Sequence, residues 1–303
     1  MKLNEPTVLK VRQHTVIFDK KVPPVKVMTT GDWHISPIIS SRQADFLKEA
    51  ISVVKPDAII LQGDIVDSPM ELKRDTSLKK LETELKICSK SAPTMLVLGS
   101  HDFITPTKPA HIMKDFSIPC WKEICKKCHV KLLMDESCEP IPGVVFYGLF
   151  QDERTMIELD KTGQKKHCNS ASGFLAKIKE ADFDLDKNKV NWFVSHAPLL
   201  DKRVIKSLSD FDILSFGHTH GGVVPRGLDE IFAKLNINGG LISTSAKPFP
   251  RTVRGTKILN GDTLLLINPG MTGAQFCAPK VFQNLNFVKA SEISVVEIKN
   301  KTD

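Results

Sequence analysis

The sequence predicts an α/β protein whose parallel strands deliver chemistry to one common edge. Three observations carry that prediction. Short runs of β-branched and apolar residues alternate with stretches whose apolar residues recur at helical spacing. Between Val25 and Asp102 the order is strand, helix, strand, helix, strand, a succession that gives parallel strands with right-handed crossovers. Carboxylates and imidazoles stand directly after the strand-like runs, at the carboxyl ends where open α/β sheets build their sites.

Taken in order, residues 7–18 alternate in Thr7-Val8-Leu9-Lys10-Val11 and again in His14-Thr15-Val16-Ile17-Phe18, and read as an edge hairpin. Val25 to Thr30 reads as a strand delivering Gly31-Asp32-Trp33-His34. Ala44, Leu47, Ile51 and Val54 mark a helix, with Ser40 or Ser41 as cap and Pro56 as stop. Asp57 to Gln62 is a continuous buried-strand run that ends in Gly63-Asp64. Leu78, Leu81, Leu85 and Cys88 mark the next helix, and Thr94 to Leu98 the next strand, which ends in Gly99-Ser100-His101-Asp102. In the second half Val144 to Leu149 is a strand. The polar stretch 152–189 reads as a loop plus a helix around Phe174 to Ile178. Val190 to Val194 ends in Ser195-His196, and Asp212 to Phe216 ends in Gly217-His218-Thr219-His220. Thr263 to Ile267 and Ile293 to Ile298 close the chain as strands. With no Pro/Gly/Ser linker and no internal repeat, one domain over 1–303 is the simplest organisation: an N-terminal edge at 1–24, a core at 25–270 and closing strands at 271–303.

The 303 residues can bury a sizeable core. Hydrophobic content of 41% and charged content of 25% are those of an ordinary globular protein, and no apolar run approaches the ~20 residues that cross a bilayer. The first residues, Met1-Lys2-Leu3-Asn4-Glu5-Pro6, lack the apolar core of a secretory leader, so a cytoplasmic protein is expected. Seven cysteines, an odd count in a long chain, fit reduced thiols. Cys125-Lys126-Lys127-Cys128 has the spacing of half a zinc knuckle. It also lies at i, i+3 on an apolar helix face with Trp121 and Ile124, which reads as core. The net charge of +7 comes from dispersed lysines, a solvated surface; Lys247, Arg251, Arg254 and Lys257 form the one basic cluster near a strand-end site.

The chemistry-bearing segments are five: Asp32-Trp33-His34, Gly63-Asp64-Ile65-Val66-Asp67, Gly99-Ser100-His101-Asp102, Ser195-His196 and Gly217-His218-Thr219-His220. They hold five of the nine histidines. Divalent metals of hard and borderline character take carboxylate oxygens and imidazole nitrogens. Asp32 and His34, two apart in one loop, can face one ion. Asp64 arrives on the neighbouring strand, and His196, His218 and His220 come from the other half. This pattern is that of a metalloenzyme.

The order Asp-x-His, Gly-Asp-x-x-Asp, Gly-x-His-Asp, a strand-end His and Gly-His-x-His resembles the calcineurin-like metallophosphoesterase superfamily over about residues 25–270. Gly221-Gly222 after His220 is similar to its bacterial phosphodiesterase-type branch. The resemblance implies a four-layer αββα sandwich of two mixed sheets with a dinuclear metal centre on one rim. It implies Asp32, His34, Asp64 and His220 as ligands of a first ion, and Asp64, Ser100, His196 and His218 as ligands of a second, with Asp64 bridging. It further implies His101 beside the scissile phosphate, Asp102 orienting the His101 imidazole, and Asp67 fixing its loop without touching metal. Ser100 departs from the family pattern, which has Asn there. A hydroxyl is shorter and a poorer donor than an amide oxygen, so a weaker second site is expected.

Two divalent ions (Mn2+, Fe2+/Fe3+, Zn2+ or Ni2+) roughly 3.5–4 Å apart clamp phosphate oxygens and lower the pKa of a shared water. The implied reaction is hydrolysis of a phosphoester, a phosphodiester first, by the bridging hydroxide, with His101 serving the leaving group. A phosphomonoesterase or nucleotide pyrophosphatase on the same metal core, and a catalytically weakened scaffold, are the alternatives. The expected partner is a small phosphate ester or nucleotide. A nucleic acid is not favoured, because no basic or aromatic module is appended and the repair nucleases of the superfamily carry His where this chain has Asp67. Arg251 and Arg254, after Pro248-Phe249-Pro250, are candidate phosphate contacts, since guanidinium groups bind phosphate in two-pronged fashion.

Overall fold

The computed structural model of the chain describes residues 9–37, 43–107, 109–159, 165–167, 170–222, 252–259, 262–272 and 291–301. The strands, in chain order, are β1 (Leu9–Phe18), β2 (Val25–Thr30), β3 (Ala58–Leu61), β4 (Thr94–Leu96), β5 (Lys131–Leu132), β6 (Glu136–Ile141), β7 (Val144–Gly148), β8 (Ile157–Leu159), β9 (Lys165–His167), β10 (Val190–Val194), β11 (Ile213–Phe216), β12 (Gly255–Leu259), β13 (Thr263–Ile267) and β14 (Ser291–Asn300). The helices are α1 (Gln43–Val54), α2 (Asp75–Ser89), α3 (Lys114–Cys128), α4 (Glu153–Met156), α5 (Ala171–Ala181) and α6 (Lys202–Ser207).

Two mixed six-stranded sheets form, in the orders β1-β14-β2-β3-β4-β5 and β12-β13-β11-β10-β7-β6; β8 and β9 make a separate pair. In the first sheet β2, β3, β4 and β5 run parallel. In the second, β7, β10, β11 and β13 do. Their carboxyl ends therefore collect on one rim.

The strands sort their side chains by period two into different layers. Val27, Ile60, Met95 and Val296 face Phe146, Trp192, Ile213 and Leu266 between the sheets. Met28, Ile59, Leu61, Leu96 and Val295 face outward, against Leu47 of α1, Leu85 of α2 and Trp121 of α3. On the far side Phe193, Leu214, Phe216 and Leu265 meet Phe174 of α5 and Val204 of α6. Three cores between four layers make an αββα sandwich, as expected. Each fully buried large apolar side chain contributes ~1.5–3 kcal/mol.

α1, α2, β2, β3, β4 and β10 form where the periodicity places them, to within a few residues at their ends. The caps read at Ser40 and Ser41 lie outside the described residues. The Trp121–Cys128 face is the inward side of α3: Trp121, Ile124, Cys125 and Cys128 are buried, and Trp121 Nε1 donates to the Asp102 carbonyl at 3.1 Å. Burial pushes the Cys125 thiol pKa up, which suits an inert core thiol. Among the described residues, no candidate metal group includes a cysteine.

The edge hairpin read over 7–18 is corrected. Residues 9–18 are one unbroken strand, and it pairs in parallel with β14, Leu9 opposite Ser291 and Phe18 opposite Asn300. Alternation identifies a strand and is silent on its partner.

Candidate metal centre

The candidate ligand residues meet on the rim because each follows a parallel strand of one or other sheet. The loops after β2 and β3 run side by side: Asp32 N donates to the Gly63 carbonyl (2.9 Å), His34 N to the Asp64 carbonyl (3.0 Å) and Ile35 N to the Ile65 carbonyl (2.8 Å). Across the sandwich Gly217 N donates to the His196 carbonyl at 2.8 Å. The loops turn sharply to aim their side chains. Asp32, His34, Asp64, His218 and His220 all hold positive φ, between 47° and 69°. That backbone costs an ordinary residue ~1–2 kcal/mol, and strain of this kind persists where its surroundings fix it. Gly63 (φ 80°) lets the chain pass: a Cβ there would lie 2.5 Å from Gly99 N and 2.9 Å from His196 Nδ1.

Two clusters result, each with ligand atoms inside 4.8 Å: Asp32, His34 and His220, and Asp64, His196 and His218. In the first, His34 Nε2 and His220 Nε2 are 3.2 Å apart and His220 Nε2 is 3.7 Å from Asp32 Oδ1. In the second, His196 Nε2 is 3.0 Å from Asp64 Oδ2 and 3.1 Å from His218 Nδ1. The same Asp64 Oδ2 is 4.0 Å from His34 Nε2, so one carboxylate stands between the clusters.

Backbone carbonyls set the tautomers. His196 Nδ1 meets the Gln62 carbonyl at 2.7 Å and His220 Nδ1 the Thr272 carbonyl at 2.8 Å. A carbonyl only accepts, so Nδ1 carries a proton and Nε2 is the nitrogen that faces inward. Burial pulls the His34 and His220 pKa values below the usual imidazole range. Burial also acts to lower His196, but the Asp64 carboxylate outweighs it and pushes the ring up to about 9. Asp64 itself, despite burial, is held well below the usual carboxylate range by His196 and His101.

This donor set is one of inward-facing imidazole nitrogens and carboxylate oxygens, with a buried hydroxyl beside them: Ser100 is 1% exposed and its Oγ has no hydrogen-bond partner among the described residues. Acceptors converging in a buried place fit divalent cations.

The loop after β4 behaves differently from the expected role of Asp102. Its Oδ1 accepts from Ile65 N (2.9 Å) and Val66 N (3.1 Å), and its Oδ2 from Gly99 N (2.8 Å). Burial, then the charge of Asp64, pushes its pKa up to about 7. Asp102 thus clamps two loops together. The His101 ring is oriented instead by the Asp67 carbonyl, 2.8 Å from Nδ1. The Asp67 carboxylate lies 3.5 Å from His34 Nδ1 and 3.9 Å from His101 Nδ1, which makes a third cluster of His34, Asp67 and His101. His101 and His218 are half-buried, so the centre opens on their side.

Arg254 is 4% exposed and lies in the fields of Glu292 and Arg12. Arg251 lies outside the described residues. Sequence reasoning missed Gln151, whose amide brackets Ala197, next to His196, by accepting from its N–H (2.5 Å) and donating to its carbonyl (3.0 Å). A polar residue just past the end of β7 was the available signal. The carbonyls of Gln62 and Thr272 carry no side-chain signature at all.

A family model for calcineurin-like phosphoesterases matches residues 25–222. An uncharacterized metallophosphoesterase of Aquifex aeolicus is 23% identical over 218 residues, 71% of this chain and 71% of that protein. A component of the SbcCD nuclease of Staphylococcus saprophyticus is 23% identical over 253 residues, 73% of this chain and 62% of that protein, so this chain spans under two thirds of it. Among solved structures, a dimetal phosphatase from Danio rerio superposes with a TM-score of 0.45 at 14% identity, covering 82% of this chain and 88% of that one.

Proposed function

The chain belongs to the calcineurin-like phosphoesterase family, an assignment that carries metal-dependent hydrolysis of phosphate esters, and from that premise we propose that it cleaves phosphodiesters with a pair of divalent ions. Asp32, His34, Asp64 and His220 would hold the first, and Asp64, Ser100, His196 and His218 the second. The observation that carries this reading is the single Asp64 carboxylate oxygen, 3.0 Å from one cluster's imidazole and 4.0 Å from the other's. Held there, two ions would supply an acidified water and neutralise charge on the phosphate oxygens.

The protein's own groups do the rest. The carbonyls of Gln62 and Thr272 hold the Nδ1 protons of His196 and His220, so Nε2 is the nitrogen each ring would offer to an ion. Asp102 fixes the β3 and β4 loops against each other, which holds Asp64 and His101 in register; His101 N donates to Asp64 Oδ1 at 2.8 Å. With Nδ1 tied to the Asp67 carbonyl, the proton that His101 trades with the leaving oxygen is the one at Nε2. Gly221-Gly222 after His220 resembles the bacterial phosphodiesterase-type branch of the family, and that resemblance supports the diester over the monoester. The nuclease among the relatives keeps a polynucleotide within the same substrate class. Among the described residues no helix is long and apolar enough to cross a membrane.

The test is to measure bound Mn, Fe, Zn and Ni in the purified protein, then turnover of bis-p-nitrophenyl phosphate and p-nitrophenyl phosphate with added Mn2+. Diester turnover with two ions per chain is expected. Turnover of the monoester alone would make it a monophosphatase. No turnover with any metal, together with less than one ion bound, would make it a scaffold.

A further inference from the structure

His218 and His220 are two residues apart, yet their imidazoles belong to different clusters, one beside His196 and the other beside His34. The turn achieves this by holding both residues at positive φ, 69° and 47°. A left-handed pair flanking one residue is not a resting state of a free loop; something must hold the residue between them.

That residue is Thr219, and it is buried. Its hydroxyl lies 2.5 Å from the Val253 carbonyl, and since a carbonyl only accepts, Oγ1–H donates. The acceptor is itself anchored. Val253 and Arg254 are 3% and 4% exposed. The Arg254 guanidinium lies in the field of Glu292 on β14, and Glu292 is fully buried and receives two bonds from Arg12 on β1, at 3.0 and 3.2 Å. Beside it Thr256 Oγ1 on β12 meets His14 Nδ1 on β1 at 3.3 Å. The hydroxyl thus fastens a turn of the second sheet to a segment pinned against the first.

The geometry points to Thr219 as a positioning residue: its hydroxyl bond to the Val253 carbonyl holds the strained turn that divides His218 and His220 between two metal sites. This rests on the reading of those histidines as ligands. The methyl group of Thr219 is incidental to the role and the hydroxyl is essential, which separates positioning from packing.

The experiment compares wild type, Thr219→Val and Thr219→Ser as purified apo proteins titrated with Co2+, reading stoichiometry, affinity and the visible absorption of the ion. Valine keeps the shape and removes the bond; serine keeps the bond and removes the methyl. Thr219→Val should bind Co2+ about 10–100-fold more weakly, the usual cost of losing an outer partner of a ligand, with an altered spectrum. Thr219→Ser should match wild type in both. Equal affinity and spectrum in wild type and Thr219→Val would overturn the assignment, and so would a Thr219→Ser loss as large as the valine loss. A Thr219→Val apo protein that does not fold, by far-UV circular dichroism, would also overturn it, since the hydroxyl would then hold the fold and not the turn. Wild type that takes up less than one Co2+ is a different failure, that of the metal-centre reading itself.

Discussion

A single methyl group at position 99 should disable the centre without removing any ligand. Gly99 has φ −101° and ψ −179°, extended backbone that alanine adopts without strain. The space is the obstacle. A Cβ there would lie 2.3 Å from Asp64 Oδ1, 2.4 Å from Asp64 N and 2.8 Å from His196 Nδ1. Non-bonded heavy atoms settle at ~3.5 Å, so Asp64 must withdraw by about 1 Å. Its retreat is hindered on every side: Asp64 Oδ1 accepts from His101 N, and His196 Nδ1 is fixed to the Gln62 carbonyl. A displacement of ~1 Å at a reacting centre costs about a hundredfold, or ~2.7 kcal/mol of transition-state stabilisation. Overpacking adds ~1–3 kcal/mol of lost stability.

The assay is kcat/KM of Gly99→Ala on bis-p-nitrophenyl phosphate at saturating Mn2+, with metal stoichiometry and a urea midpoint measured alongside. Gly143→Ala is the control. That residue holds φ 84° in the turn between β6 and β7, and its Cβ would meet Val22 Cγ1 at 2.9 Å. It should lose stability yet keep its turnover per folded molecule. Gly99→Ala that binds two ions and turns over within about threefold of wild type would refute the reasoning, because Asp64 could then shift freely and still serve.

Three further outcomes follow from named groups. Glu84 on α2 is fully buried, neither oxygen is hydrogen-bonded among the described residues, and Lys80 Nζ is 3.9 Å away; burial pushes its pKa from 4.5 up to about 7, against the pull of Lys80. The folded chain therefore holds that proton more tightly than the unfolded one, so the penalty is absent below pH 4.5, grows as pH rises to about 7 and stays constant above it. Glu84→Gln should gain about 3 kcal/mol over wild type at pH 8 and nothing at acid pH; urea unfolding with chelator present checks it, and a gain equal at both pH values would contradict it. Ser100→Asn should retain the second ion more tightly on dialysis, since an amide oxygen replaces a hydroxyl with no hydrogen-bond partner among the described residues; unchanged retention would make the serine irrelevant. His101→Ala should keep its metal content while turnover of poor leaving groups falls about 10²–10⁴-fold; metal lost in step with activity would contradict the role.

The sheets and the convergence of the candidate ligand residues were legible because both rest on local signals. The run Ala58 to Leu61 is apolar throughout, as a strand covered on both faces must be, and Gly63-Asp64 follows it immediately. The same holds for Val190 to Val194 before His196. What was not legible involves partners remote in the chain. β1 alternates like a hairpin strand, but its neighbour is β14, far along the sequence. Arg254 reads as an exposed loop residue, and its burial near Glu292 and Arg12 comes from the fold. Asp102, one residue from His101, has three backbone N–H groups closer to hand than the ring.

By itself the sequence determined which atoms could bind a cation and that they would gather on one rim, since residue type fixes donor chemistry and hydrophobic period fixes strands. The tertiary structure alone decided how those atoms are held. Carbonyls set the protons on His196 and His220, and a hydroxyl turns His218 and His220 apart. Each of those contacts ends on a backbone carbonyl, a group common to every residue, whose meaning comes from where the fold brings it.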